Sequence, residues 1–344
     1  MTLLLRNHDL VGLMSLADYI TAVDQGYQAL ANERSLNLPR HNLWLDGGAG
    51  QAVTGGHLRP NTNGAVTYKG AMLPTLGWAG LQVYTWGIGQ SIATYLLLFD
   101  TQSGELSAFM EVLYYDWLKT AAVAALATRY LAPPASSVAA IFGTGRHARA
   151  QLHGLCSVRT LQRIQAYSRN ADHRVAFCKQ LTRELGVEVV PAVSPQAALS
   201  DADIITTMTT SPEPVFVGEW LDRDRPIHLN AMGAHEPWVR EIDEHVVLHS
   251  RIVLDHWQQG MKEKGEVLLP VAAGRLDPQR IHADLAQIVT GQVVGRTPET
   301  RWTLFLSGGT GVEDVAVACR LLERARARGV GTEIELNQPY EFKF

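Results

Sequence analysis

A doubly wound parallel α/β domain, set inside a discontinuous α+β domain, is the architecture that this chain of 344 residues predicts. Three observations carry it. After residue 137, short apolar runs alternate with helical stretches, the rhythm of parallel strands joined by crossover helices. The first run, VAAIFG at 138–143, leads directly into Gly143-Thr-Gly145-x-x-Ala148 at the start of a helix, a fingerprint of Rossmann folds in its proper place. Just ahead, Pro133-Pro134 stops a long helix, so the rhythm begins at a break in the chain.

Each element has a local reason. Ser15 is a natural N-cap for a helix over 15–33, where Ile20, Val23 and Tyr27 form one stripe. Residues 46–64, rich in Gly and Asn, read as loops with short strands. Strands follow at 79–86, 93–100 and 105–112, the last two joined by the turn TQSG at 101–104. A helix over 113–131 runs to the prolines. Strands are then expected at 138–143, 163–168, 187–190, 203–209, 226–233 and 251–255, with helices from 146, over 171–185 and over 194–200. A Gly-rich turn, SGGTG at 307–311, precedes a last helix at 312–328, periodic in Val315, Ala318, Leu321 and Leu322. The expected division is 132–310 for the Rossmann domain and 1–131 with 311–344 for the other.

Composition narrows the function classes. The chain is 46% hydrophobic and 19% charged, with net charge −4, so no basic surplus favours nucleic acid and no polybasic run favours a membrane surface. Its longest apolar runs, such as YLLLF at 95–99, are too short to span a bilayer. The N-terminus lacks a signal peptide's apolar segment, and a cytoplasmic location is expected. Three scattered cysteines without a CxxC imply neither a disulfide frame nor a metal site.

The glycine turn is where a dinucleotide would be held. Gly143 permits the tight turn, Gly145 lets backbone approach a pyrophosphate, and Ala148 lets the helix pack on its strand. Thr144, Arg146 and His147 complete the turn, with Arg146 placed for a charge-assisted contact and the helix N-terminus favouring an anion. The second strand ends in Ser168-Arg169-Asn170, with no carboxylate for a ribose 2′-OH. That ending suits a 2′-phosphate, so NADP(H) is preferred to NAD(H). Thr209 and Thr210 after the fourth strand, Met232 and Gly233 at the end of the fifth, and Ser307 are further candidates for cofactor contacts.

Six ordered blocks together resemble the ornithine cyclodeaminase/mu-crystallin family. They are KTAAVAALATRYLAPP (119–134), IFGTGRHARAQ (141–151), DIITTMTTSPEPVFVGEWL (203–221), HLNAMGAHEPWVREID (228–243), LDHWQQGMKEKGEV (254–267) and SGGTGVEDVAVA (307–318). The resemblance covers most of the chain after about residue 65. It implies a homodimer built through the non-Rossmann domain, an active site between domains, and turnover of small imino or amino acids with bound NAD(P)(H).

The chain departs from the family's pattern at four places. The helix motif Arg-Thr-[AG]-Ala reads Lys119-Thr120-Ala121-Ala122 here, which keeps the charge but loses the planar fork. Gln82 stands where Gly-x-Lys has its lysine, while Lys69 lies one strand earlier; either the lysine has changed strands or a gap aligns Lys69 with it. Arg40 matches an early substrate-contacting arginine only loosely. His235 replaces the acidic or polar residue that follows Gly-Ala in the fifth strand.

Reducing a 2-imino acid requires a held carboxylate, a protonated nitrogen and a hydride. Arg40, Lys69, Gln82 and Lys119 are the substrate-binding candidates; Lys119 interrupts an apolar stretch where a solvated lysine is unexpected. Lys69 and His235 are the catalytic candidates, set against a solvent-facing lysine on an edge strand and a surface histidine. Glu313-Asp314 reads as structural, complementing a helix dipole. The expected function is NAD(P)H-dependent reduction, reversibly dehydrogenation, of a small imino or amino acid. Two alternatives stand beside it: an ornithine or lysine cyclodeaminase with recycled NAD(P), disfavoured by His235, and a cofactor-binding protein without chemistry.

Overall fold

The computed structural model describes all residues except 33, 46–49, 53–57, 61–63, 89–91 and 337–344. In chain order the first half comprises β1 (Thr2–Leu5), α1 (Leu16–Leu30), β2 (Leu36–Trp44), a short pair β3 (Gly50–Ala52) and β4 (Leu58–Pro60), β5 (Ala65–Leu73), β6 (Trp78–Trp86), β7 (Thr94–Asp100), β8 (Leu106–Glu111) and α2 (Leu113–Leu131). Then follow β9 (Val138–Phe142), α3 (Arg146–Val158), β10 (Arg163–Tyr167), α4 (Ala171–Leu185), β11 (Glu188–Pro191), α5 (Pro195–Ala198), β12 (Ile204–Thr207) and β13 (Ile227–Ala231). The chain closes with α6 (Glu244–His249), β14 (Ser250–Leu254), α7 (Trp257–Glu263), α8 (Gly265–Ala272), β15 (Ile281–Asp284), α9 (Leu285–Val289), β16 (Trp302–Leu306), α10 (Gly311–Arg328) and β17 (Thr332–Ile334).

Two compact units form, one from residues 1–48, 62–119 and 310–344, the other from 49–61 and 120–309. The division falls inside α2. In the first unit, seven strands run β17-β1-β8-β7-β6-β5-β2, antiparallel except for the parallel β1–β8 pair. α10 covers one face of this sheet, with α1 packed on α10. α1 is held at its start by a capping box: Ser15 Oγ accepts from the Asp18 N–H at 3.2 Å and the Asp18 carboxylate from the Ser15 N–H at 2.8 Å. A Cβ on Gly311 would lie 2.1 Å from the Gly70 carbonyl oxygen, so only glycine lets α10 begin this close to β5. On the opposite face, Leu36, Leu38, Leu43, Met72 and Tyr95 are exposed.

In the second unit, eight parallel strands run β11-β10-β9-β12-β13-β16-β14-β15. Order reverses between β9 and β12, the switch point where such sheets bind ligands. Alternate residues of β9 enter separate cores, Ala139 and Ile141 one and Ala140 and Phe142 the other. The sheet is therefore buried on both faces, as parallel sheets are.

β16 was not anticipated, nor were β1, β2, β15, β17 and α6 to α9. WTLFL is a five-residue apolar run without alternation, which pattern alone cannot assign. It is wholly buried between β13 and β14, which therefore do not pair with each other. The helix expected over 194–200 is a single turn. Part of the 46–64 loop lies outside the described residues.

Candidate functional site

The second unit places its glycine turn at the end of β9, beside the end of β10. Gly143 has φ +110°, and a Cβ there would stand 2.3 Å from the Met208 carbonyl oxygen, so the protein itself demands glycine. Gly145 differs: its φ is ordinary at −87°, and a Cβ would meet nothing within 4 Å. Gly145 is also the N-cap of α3, with no side chain capping the helix. The absent side chain leaves open space against a helix N-terminus, the form an anion site takes. Ala148 is fully buried in the core behind the turn.

Thr144 Oγ1 donates to Ser168 Oγ at 3.0 Å, joining the first turn to the end of β10. Asn170 has a structural task that the sequence reading did not assign: its Oδ1 accepts from the His173 N–H at 2.9 Å and caps α4. Arg174 donates to the Ser168 carbonyl, with its guanidinium 5.3 Å from the Tyr167 ring centre. Arg146 and Arg169 are exposed, and His147 is half-buried.

Three buried side chains missed by the sequence reading fix the loops after β12, β13 and β16. Glu241 accepts from Thr209 N–H at 2.6 Å, Thr209 Oγ1 at 2.6 Å, Thr207 Oγ1 at 3.0 Å and Gly233 N–H at 2.7 Å. Burial raises its pKa, Thr209 and Gly233 oppose the rise, and Glu266 adds to it. Asp255 accepts from Ser307 Oγ at 2.8 Å and from the Gly308 and Gly309 N–H groups at 2.9 and 3.1 Å. Lys264 Nζ donates to the Ala234 carbonyl and, at 3.2 Å, to that of Ser307. The hydroxyls of Thr209 and Ser307 are thus used to shape the loops. Met232 is buried, while Thr210 and His235 are exposed, with His235 Nδ1 3.3 Å from the Gly233 carbonyl oxygen. Glu241, Asp255 and Lys264 all lie in blocks that carry the family resemblance, which was their one sequence signal.

Replacing Glu241 with Gln should loosen the Thr209 and Gly233 loops together, because one acceptor oxygen becomes a donor. Urea unfolding should show a loss of about 1–3 kcal/mol. Unchanged stability would mean that these loops keep their shape without it.

The first unit gathers the substrate-binding candidates on the α10 side of its sheet. Lys69 in β5 and Gln82 in β6 are direct cross-strand partners, and both are buried. Lys69 is on an interior strand, not an edge. Lys119 enters from α2 at 1% exposure, so it does not reach solvent. Asp314, in the first turn of α10, binds both lysines: Oδ2 lies 2.8 Å from Lys69 Nζ and Oδ1 2.6 Å from Lys119 Nζ. Asp116 stands 3.2 Å from Lys119 Nζ. Beside this cluster, Tyr27 donates to Glu313 at 2.6 Å, and Arg40 Nε donates to the Tyr84 hydroxyl at 2.9 Å. Asp314, read from sequence as dipole complementation, is thus the centre of the cluster.

The two lysines are pushed apart. Burial lowers the Lys69 pKa; Asp314 opposes this, and Lys119 and Arg40 reinforce it. Burial acts likewise on Lys119, but Asp314, Asp116 and Glu313 together outweigh it and hold Lys119 above the ordinary lysine range. The difference follows from geometry: Asp314 is shared and sits nearer Lys119, which has Asp116 as well. Such a separation distinguishes a permanent cation from a group able to move a proton.

A family model described as ornithine cyclodeaminase/mu-crystallin family matches residues 83–329. Delta(1)-pyrroline-2-carboxylate reductase of Bacillus cereus is 32% identical over 241 residues, covering 70% of this chain and 73% of that protein. The structure of Thermococcus litoralis Delta(1)-pyrroline-2-carboxylate reductase in complex with NADH and L-proline matches with TM-score 0.87 at 29% identity, over 97% of this chain and 100% of that one. An archaeal alanine dehydrogenase dimer with bound NAD matches with TM-score 0.86 at 26% identity, over 98% and 99% of the two chains.

Proposed function

The chain belongs to the ornithine cyclodeaminase/mu-crystallin family, and from that premise we propose that it is an NADPH-dependent reductase of a small 2-imino acid, running in reverse as an amino-acid dehydrogenase. The observation that carries the reading is the pair of buried lysines held by Asp314 with separated proton affinities. The Bacillus and Thermococcus relatives, both reductases of a cyclic imino acid, support it.

The turn from Gly143 to Ala148 would hold the pyrophosphate, with open space at Gly145 and the uncapped start of α3. Ser168, Arg169 and Arg146 favour a 2′-phosphate, because a guanidinium gives charge-assisted bonds and no carboxylate ends β10. Asn170 contributes by capping α4 beside them. The loops carrying Thr209, Thr210, Met232, Gly233 and Ser307 would shape the remainder of the cofactor site. When bound, the cofactor supplies a hydride.

The chain's own residues supply the rest. Lys119, kept charged, and Arg40 neutralise the substrate carboxylate. Lys69, lowered by burial, gives the imine nitrogen its proton and takes one back from water. His235 is the other candidate for that proton, and the Lys69→Met and His235→Ala variants separate the two. The exposed apolar face bearing Leu36, Leu38 and Met72 favours a homodimer through the first unit. Light scattering giving twice the chain mass supports that arrangement, and a monomer contradicts it.

The test of function is turnover with cyclic ketimines and with mixtures of 2-oxo acids and amines, following cofactor absorbance. NADPH should be oxidised, and in preference to NADH. No oxidation across the panel would defeat the reading.

A further inference from the structure

In the second unit, α6 carries His245 and His249 four positions apart, so both rings stand on one face of the helix, 4.4 Å between centres. They flank Trp302, the first residue of β16, at 6.1 and 6.3 Å. Trp302 pairs with the first residues of β13 and β14, whereas the glycine turn and the Thr209 and Gly233 loops follow the last residues of their strands. The histidines therefore lie at the other end of the parallel sheet from those loops. Trp302 Nε1 donates to the Asp222 carbonyl at 3.1 Å and ties the loop carrying Arg223 to the same place.

The partners of the rings fix their tautomers. Arg223 Nη2 lies 3.3 Å from His245 Nε2 and 2.6 Å from His249 Nε2, and a guanidinium can only donate. Both Nε2 atoms therefore present lone pairs, and both are aimed at one nitrogen. The ring protons sit on Nδ1. That of His249 goes to the His245 carbonyl at 2.7 Å. That of His245 faces Glu219 Oε1 at 3.9 Å, beyond a hydrogen bond but within a small rotation of an exposed side chain. Histidines that ligate metals are oriented in this way, with one ring N–H directed at a carbonyl or carboxylate and the other nitrogen left to bind.

We propose that His245 and His249 form an exchangeable site for a divalent transition metal of the Zn2+ class, with the Arg223 guanidinium as its competitor. Imidazole nitrogen suits such ions, and a metal–nitrogen bond of about 2.1 Å holds both Nε2 atoms closer to a shared point than Arg223 does. Arg223 is exposed and lies on a loop, so its guanidinium returns to water at little cost. Among the described residues no group of three or more His, Cys, Asp or Glu could hold a metal. The protein thus supplies two ligands and water the others, which makes a site that takes up and releases its ion, unlike a closed structural centre of four protein ligands.

The experiment titrates ZnCl2 into the untagged, chelator-stripped full chain by calorimetry, beside His249→Ala, His249→Gln, the double variant His245→Ala/His249→Ala, and Arg223→Met. Wild type should bind one Zn2+ that the double variant does not. Loss of an outer partner already weakens metal binding about tenfold, so removing a ligand in His249→Ala should cost at least that much. His249→Gln, which keeps a side chain able to hydrogen-bond, should lose as much, and it carries the test if the alanine variant folds poorly. Arg223→Met should tighten binding about tenfold, the scale of one hydrogen bond from a charged group that the metal no longer has to displace. Equal binding by wild type and the double variant would place the metal elsewhere and overturn the proposal. A wild type that takes up no Zn2+, or an Arg223→Met variant that binds it no more tightly than wild type, would overturn it as well.

Discussion

Asp314→Ala should destabilise the protein by about 3–5 kcal/mol, because it strands two buried ammonium groups that share one carboxylate. Lys119 retains Asp116, whereas the Lys69 ammonium loses its 2.8 Å ion pair. The loss should depend on pH, with a definite sign. In wild type, Lys69 is lowered below its unfolded value near 10.5, so its contribution to stability rises with pH across the window below that value. Lys119 is raised, so its contribution is complete below 10.5 and falls as pH rises beyond. Removing Asp314 lowers both lysines, and the folded variant then binds fewer protons than the unfolded chain over a wider range. Its stability should therefore recover as pH increases from 7 towards 10, whereas wild type should gain less. Urea unfolding at several pH values measures this. A loss below about 1 kcal/mol at neutral pH, the scale of an exposed pair, would mean that the cluster is solvated.

Lys69→Met should have the largest effect on catalysis, a loss of about 10³-fold in kcat/KM, the range for a positioned proton donor. The pH profile gives the distinguishing readout. With Lys69 as the proposed proton donor and its pKa lowered by burial, wild-type activity should fall on the alkaline side before an ordinary lysine would titrate. The variant should lose that limb and keep the folded-state signals. If His235 moves the proton instead, the alkaline limb survives in Lys69→Met and is altered in His235→Ala.

Much of this could be read from the residues because it is locally encoded. The capping box at Ser15, the stop at Pro133-Pro134, the turn at Gly143 and the alternation after it all depend on neighbours a few positions apart. The central carboxylate could not be read in that way. Asp314 and Lys119 are 195 positions apart, and an acidic residue in the first turn of a helix already has a sufficient local explanation. Glu241 was hidden for the same reason, since its partners lie 8 to 34 positions away, at the end of β12 and on loops that meet it only when the sheet forms. β16 was missed because burial on both faces removes the alternation by which strands are recognised. The relation between Lys69 and Gln82 was open in the sequence as a shift of strand or a gap. The register places them side by side, so a cation on either strand serves the same face.

The most direct test of the account uses NADPH carrying deuterium at the transferable position of C4, with Δ1-pyrroline-2-carboxylate as the imine and mass spectrometry of the product. The account predicts proline bearing one deuterium at Cα, formed by wild type and nearly abolished in Lys69→Met. Tight binding of NADPH with no label in any amino acid, from this imine or from 2-oxo acids with ammonia, would contradict it.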